Sequence, residues 1–266
     1  MTLNICLAGA TGWAGAELAR GIASSADLLL VSAVSRTHAG RRLGEVLGDD
    51  RMTAPLRADV ATALEAQCDV FVEYTSAKTA KGNVLCALRR GAHAVVGTSG
   101  LTDTDYAEID AVARQLGRGV LACGNFALTA VLLLKCAELV AKQLQQWEIV
   151  EYASDSKVDV PSGTVRELAR RLGAIRRPEL TLGLDQTLGP VEARGADMHG
   201  TRVHSVRLPG HTLGVDVVFG MADQTLVLRH NAGSSARPYV DGALLAIRKV
   251  SGLIGVHRGL DSVLDL

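Results

Sequence analysis

Between Trp147 and Arg171 the chain reads WEIVEYASDSKVDVPSGTVRELARR. Lys157 offers a cation, Ser162 and Thr164 offer hydroxyls, and Gly163 leaves the backbone between them open to a close approach. At the start of a helical run these groups can hold a carboxylate, because free N–H donors and the helix dipole favour negative charge there and an ammonium adds the countercharge. A plain helix cap beside a surface lysine would use the same residue types. Pro161 directly before the serine and a strand-like run upstream favour a built site instead. The centre of the segment is odd, since Ala153, Ser154, Asp155 and Ser156 include no histidine. If a proton has to be delivered here, an ammonium in a desolvated cleft can do it, which makes Lys157 the first catalytic candidate. Asp155, Ser154 and Tyr152 are neighbouring ones, and His199 or His204 could reach in from further along the chain, although surface or strand-end positions are the favoured reading for both.

A second cluster lies near the N-terminus, where NICLAGATGWAGAELAR spaces Gly9, Gly12 and Gly15 as G-x-x-G-x-x-G, with Thr11, Trp13 and Ala14 between them. Glycines between a strand and a helix allow a tight turn and a close backbone approach to a pyrophosphate, which then sits on the helix N-terminus. The next strand-like run ends in Ser35-Arg36-Thr37, where an NAD site would place an acidic residue for the ribose hydroxyl. A guanidinium between hydroxyls suits a 2′-phosphate, with Arg41 and Arg42 as further charges, so the expected cofactor is NADPH, with NADH possible.

The elements that must hold these clusters follow from the apolar pattern. NICLAG, LLLVSAV, DVFVEYT, AHAVVGTS and GVLACGN read as fully buried strands, alternating with AGAELARGIAS, TAKGNVLCALRRG and TDYAEIDAVARQLG at helical spacing. That alternation implies a parallel sheet covered on both faces. After about Asn125 the rhythm changes to a long helix over 130–145, a strand over 147–154, a helix over 162–172 and a loop over 173–200. Three strand-like runs follow, TRVHSVRL, TLGVDVVFG and QTLVLRH, expected as a meander. The final VDGALLAIRKVSGLIG is helical in pattern and should return to the first domain. The expected fold class is therefore α/β, a Rossmann-like nucleotide domain (1–124 and 238–266) with a smaller α+β domain carrying a mixed sheet (125–237). Composition narrows the partners. In these 266 residues 28 basic and 28 acidic side chains balance to a net charge of +0, which excludes an electrostatic footprint for nucleic acid or an anionic membrane. The apolar stretches fall short of the roughly 20 residues a membrane span needs, and no leader peptide is apparent at the start. Five scattered cysteines fit a reducing, cytoplasmic setting, and seven histidines show no metal-ligand spacing, so no metal is expected.

The chain resembles the dihydrodipicolinate reductases, the 4-hydroxy-tetrahydrodipicolinate reductases of lysine and diaminopimelate synthesis. The resemblance runs nearly end to end through GATGWAG, DVFVEYTS, GTSG at 97–100, GNFAL at 124–128, KVDVPSGT at 157–164 and the tail GLDSVLDL. It implies an NAD(P)H-dependent reductase of a cyclic imine or enamine carboxylate, assembled as a homotetramer through the sheets of the second domain. It further implies that Lys157, Ser162, Gly163 and Thr164 bind the substrate's carboxylate, and that Thr75, Gly97, Ser99, Cys123, Asn125 and Phe126 line the nicotinamide and substrate. The family carries a His-His pair, its first member the proton donor, where this chain has Ala153 and Ser154; Trp13 replaces the usual Arg, and Ala127 the usual Ser. Two other activities fit the same residues: an NAD(P)-dependent diamino acid dehydrogenase, and a nucleotide-binding protein without catalysis. Turnover of dihydrodipicolinate against a panel of diamino acids separates the three.

Overall fold

The computed structural model describes residues 2–264, so Met1 and the last two residues of the GLDSVLDL tail, Asp265 and Leu266, lie outside the described residues. The chain forms two compact units, Met1–Leu128 with Ala236–Leu266, and Thr129–Ser235.

The first unit alternates strand and helix: β1 (Leu3–Ala8), α1 (Trp13–Ala23), β2 (Leu28–Val34), α2 (Leu43–Leu47), β3 (Leu56–Arg57), α3 (Val60–Ala63), β4 (Val70–Glu73), α4 (Ala77–Arg89), β5 (His93–Val96), α5 (Asp103–Gln115) and β6 (Gly119–Ala122). The returning tail adds a helix (Val240–Lys249) and a last strand (Gly255–Arg258), α8 and β12 in chain order. All seven strands pair in parallel, in the order β12-β6-β5-β4-β1-β2-β3. This is the doubly wound Rossmann arrangement, in which ligands sit beyond the carboxyl ends of the strands near the β1/β4 reversal. Helices lie on both faces, so the central strands bury every side chain: Ile5, Cys6, Leu7, Phe71, Val72, Val95 and Leu121 have no exposed surface. The parallel-sheet expectation is borne out. The sequence pattern carries the tail helix through Gly255, whereas in the structure that helix ends at Lys249 and Gly255–Arg258 forms a strand on β6.

The second unit holds α6 (Leu128–Ala141, whose first residue closes the other unit), β7 (Gln146–Ala153), α7 (Gly163–Ile175), β8 (Ala196–Met198), β9 (Thr201–Arg207), β10 (Leu213–Met221) and β11 (Gln224–Ala232). Its sheet runs β11-β10-β7-β9-β8. The expected meander is corrected here: β10 and β11 form a hairpin, but β7 lies between β9 and β10, parallel to the first and antiparallel to the second. The sheet buries the inward residues of β7, Trp147 and Ile149, with Val203, Val215, Val217 and Phe219 against Leu133, Leu134 and Ala137 of α6 and Val165, Leu168 and Leu172 of α7. Both helices therefore cover one face. The opposite face carries Val150, Val206, Val218 and Val227 among charged pairs such as Glu148 with His204. The loop expected over 173–200 contains two short 3-10 turns and the edge strand β8. No helix among the described residues is long and apolar enough to cross a membrane.

Candidate active site

In the first unit the candidate cofactor residues gather where a parallel sheet presents its ligand edge. Gly9 has a φ of +79°, and a Cβ there would run into the Tyr74 carbonyl. Gly15 packs its bare Cα against the Gly9 carbonyl, which locks the turn onto α1. Gly12 occupies the N-cap of α1 and supplies no side chain to the first turn, which also lacks acidic residues. The N–H groups of Trp13, Ala14 and Gly15 are thus left for an external anion. Thr11 Oγ1 lies 2.9 Å from Ser35 Oγ, which lies 3.4 Å from Thr37 Oγ1, so a string of hydroxyls joins the glycine turn to the end of β2. Ser35 is buried and Arg36 is exposed. Arg41 and Arg42 both pair with Glu45, at 3.8 and 2.8 Å, which leaves Arg36 as the guanidinium best placed for a 2′-phosphate. Trp13 is 62 % exposed and meets the Tyr239 ring edge-on at 5.8 Å. These residues fit a dinucleotide: a backbone cradle for the pyrophosphate and no carboxylate at the ribose position.

Beyond β4 and β5, residues Tyr74 to Ala77 and Gly97 to Ser99 line a groove of about 330 Å³ that includes Thr75 and Ser99. A fully buried carboxylate, Glu73, ties its two sides together. It accepts hydrogen bonds from the Thr75 N–H (2.7 Å) and hydroxyl, from Asn83 Nδ2 (2.8 Å) and from Thr98 Oγ1 (3.2 Å). Gly97 is bare because the Tyr74 ring occupies the space of a side chain, and that ring leans on Phe126 at 6.0 Å. Asn125 accepts from the Ala127 N–H at 2.8 Å and shapes the turn after β6. Cys123 is buried, and burial pushes its thiol well above the usual range, so it lines the site as an apolar wall. Sequence reasoning passed over Glu73; its signal was a carboxylate inside the apolar run DVFVEYT.

In the second unit β7 ends at the loop that carries the candidate anion-binding residues. Ser154 Oγ bonds Asp155 Oδ1 (3.1 Å) and Ser156 Oγ (2.9 Å), and the Lys157 N–H donates to the Ser154 carbonyl (3.1 Å), forming a tight turn. Lys157 Nζ lies 2.6 Å from Asp159 Oδ1, and this ammonium holds the Asp159 carboxyl below its ordinary range. Ser162 caps α7 by accepting the Val165 N–H at 3.4 Å, and Gly163 and Thr164 open the helix, whose first turn carries no acidic residue. The brace behind this loop is Glu151, fully buried in β7. It accepts from the Ser162 N–H (2.8 Å), Ser205 Oγ (3.1 Å) and Arg207 Nη2 (2.8 Å), while Arg207 also donates to the Asp159 carbonyl (3.0 Å). Burial alone would raise the Glu151 carboxyl, but the hydrogen bonds from Ser162 and Arg207 outweigh it and hold it below its ordinary range. Glu151 and Arg207 were also missed, although a glutamate in the inward phase of QWEIVEYA was a readable signal.

Neither of the two histidines that could have reached in does so, in keeping with the surface or strand-end positions favoured for them. His199 sits in the β8–β9 turn against Gly173, ten residues along α7 from its first residue and so about 15 Å from the cradle. His204 is bound to Glu148 at 2.8 Å on the sheet face away from the helices. Ala153 is buried at the end of β7.

Family models for the dihydrodipicolinate reductase N-terminus and C-terminus match residues 3–126 and 129–264. The chain belongs to the dihydrodipicolinate reductase family. It is 35 % identical to a 4-hydroxy-tetrahydrodipicolinate reductase of Desulfitobacterium hafniense, over 99 % of both chains. It is 33 % identical to one of Bacillus pumilus, over 99 % of this chain and 98 % of that one. A dipicolinate-bound dihydrodipicolinate reductase from Paenisporosarcina sp. TG-14 superposes with a TM-score of 0.88 at 26 % identity, covering 99 % of this chain and 100 % of the other. An amine dehydrogenase from Mycobacterium smegmatis shares the fold, with a TM-score of 0.67 at 15 % identity and coverage of 97 and 95 %. As a member of the reductase family the protein is an NAD(P)H-dependent oxidoreductase.

Proposed function

We propose that this protein reduces the cyclic imine dicarboxylate formed from 4-hydroxy-tetrahydrodipicolinate, with NADPH preferred to NADH. The observation that supports the substrate reading is the start of α7, where Ser162, Gly163 and Thr164 open a helix whose first turn carries no acidic residue, Glu151 with Arg207 hold the preceding loop in place, and Lys157 stands in that loop beside Asp159. The substrates named for the relatives are carboxylates of this kind. When bound, the reduced nicotinamide supplies the hydride. Gly12, Trp13 and Ala14 receive the pyrophosphate on their backbone, Thr11, Ser35, Arg36 and Thr37 take the adenosine ribose and its phosphate, and Thr75, Gly97, Ser99, Cys123, Asn125 and Phe126 line the nicotinamide side. Lys157 pulls a substrate carboxylate onto the N–H groups of α7, exchanging part of its contact with Asp159 for it. Asp155 and Ser154 shape the turn beside the reacting ring. The sheet face without helices supports a homotetramer, since Val150, Val206, Val218 and Val227 lie on it and need cover. The balance of charges and the unpaired cysteines support a cytoplasmic enzyme.

NADPH oxidation followed in the presence of freshly generated 4-hydroxy-tetrahydrodipicolinate tests the activity. Rapid oxidation is the expected result. An enzyme that instead reduces NADP with diamino acids, or binds NADPH without turnover, would overturn it. Light scattering should report a tetramer at micromolar concentration, and a stable monomer would remove the oligomer from the proposal.

A further inference from the structure

Two parallel strands of the first unit end level with each other, with Glu73 of β4 in register with Val96 of β5. The residues two beyond them, Thr75 and Thr98, both line the groove at the carboxyl edge of the sheet, which also holds Ser99. The strand order says which end of a dinucleotide this groove meets. β4 and β5 lie on one side of β1, and β2 lies on the other. A pyrophosphate on the N-terminus of α1, with the adenosine ribose at Ser35 after β2, sends the other half of the cofactor over β4 and β5.

Glu73 decides how the two threonine hydroxyls can bond in that groove. Its Oε1 receives the Thr75 N–H at 2.7 Å, and an N–H only donates. The Thr75 and Thr98 hydroxyls share the same oxygen, so each turns its proton toward Glu73. The Thr98 proton is held twice, because that hydroxyl also lies 3.3 Å from the Glu73 carbonyl, which only accepts. Thr79 Oγ1 lies 2.9 Å from Thr75 Oγ1 and is then the donor of that pair. Asn83 Nδ2 meets the other carboxyl oxygen at 2.8 Å, and Glu73 has no exposed surface, so solvent does not loosen the arrangement. Toward a ligand both threonines are therefore acceptors, where freely turning hydroxyls would serve either role. Ser99 in the same groove keeps a hydroxyl that can turn either way. Fixed acceptors beside such a hydroxyl are the complement of a primary carboxamide, whose NH2 donates and whose C=O accepts.

Granted the cofactor reading proposed above, we propose that Glu73 is a positioning residue which, acting through the hydroxyls of Thr75 and Thr98, makes the groove beyond β4 and β5 selective for the carboxamide NH2 of the nicotinamide. Glu73 sits beneath the groove and leaves the contact with the cofactor to the threonines. What it supplies is an acceptor oxygen in a fixed place, so an uncharged residue that offers the same oxygen can replace it.

Calorimetry on the full-length protein reads this without turnover, using NADP⁺, its 3-acetylpyridine analogue and 2′-phospho-ADP-ribose. The analogue carries a methyl group in place of the amide NH2, and the third probe has no pyridine ring. Wild type should bind NADP⁺ at least about tenfold more tightly than the acetylpyridine analogue. Glu73→Met frees the Thr75 hydroxyl to donate and should bring that ratio within about threefold, with 2′-phospho-ADP-ribose binding unchanged. Glu73→Gln should keep the wild-type ratio, because its amide oxygen can stand where Oε1 stood while Asn83 turns over to accept from the new NH2. A residue needed only for folding, or only for its charge, would not separate the two variants by the ratio of two ligands. Thr75→Val combined with Thr98→Val removes the acceptors without altering Glu73 and should give the same collapse, which decides the matter if Glu73→Met does not fold. A wild-type ratio near one, or a ratio that survives the paired valines, overturns the assignment while leaving NADPH binding and imine reduction intact. A protein that shows the expected ratios and does not reduce the imine loses the substrate reading alone. A wild type that binds none of the three probes overturns the cofactor reading and this assignment with it.

Discussion

The two helix N-termini offered to anions, those of α1 and α7, are built on opposite plans. At α1 the cradle is backbone alone: Gly12 gives no capping side chain, and the turn is fixed by the bare contact between Gly15 and the Gly9 carbonyl. At α7 the cradle is made of side chains, with Ser162 capping the helix, Lys157 and Asp159 in front and the Glu151–Arg207 pair behind. The first arrangement is sensitive to volume and indifferent to charge, which suits a pyrophosphate common to many dinucleotides. The second is sensitive to charge, and under the proposed function it is the one that chooses among substrates.

Breaking the charged brace should have the largest effect. Arg207→Met leaves the buried Glu151 without its cation and should cost about 3–5 kcal/mol in denaturant unfolding. The pH dependence has a definite sign. Glu151 is held below the roughly 4.3 of an unfolded glutamate, so its stabilising contribution is whole above that pH and is lost as pH falls through the depressed folded value. Arg207→Met should therefore move the acid unfolding midpoint to higher pH. Next comes Lys157→Met, expected to raise the substrate KM at least about tenfold with NADPH affinity unmoved. On the other side of the comparison, Gly15→Ala forces a methyl group into the Gly9 carbonyl. Calorimetry should show NADPH and NADH both weakened by about tenfold, with no change in the anion cradle. Arg36→Ala should weaken NADPH alone, by about five- to tenfold, or roughly 1–1.4 kcal/mol. The smallest effect is that of Ser162→Ala, about 1 kcal/mol of stability from the lost cap.

The same contrast explains what could be read from the chain beforehand. Backbone sites announce themselves, because a turn that demands glycine at 9, 12 and 15 leaves those letters in the sequence, and KVDVPSGT names most of the second cradle. The braces do not. Glu73 and Glu151 sit inside strands, and their importance depends on partners far along the chain, Thr98 and Arg207, that only folding brings near. Short parallel strands are equally silent: Leu56–Arg57 and Gly255–Arg258 are strands because of their neighbours β2 and β6, with too few residues to show a period of their own. The insertion of β7 between β9 and β10 is a long-range pairing, so local pattern favoured the simpler meander.

Only two tryptophans occur in the chain, and they live in very different surroundings. Trp147 is 3 % exposed, with its indole N–H bonded to Thr201 at 3.1 Å, while Trp13 stands 62 % exposed beside the glycine turn. Indole emission overlaps the absorption of reduced nicotinamide and not that of the oxidised form. The protein therefore carries its own optical gauge of cofactor redox state: Trp13 should dim when NADPH arrives and brighten as each turnover converts it, with Trp147→Phe removing the constant background and Trp13→Phe removing the signal.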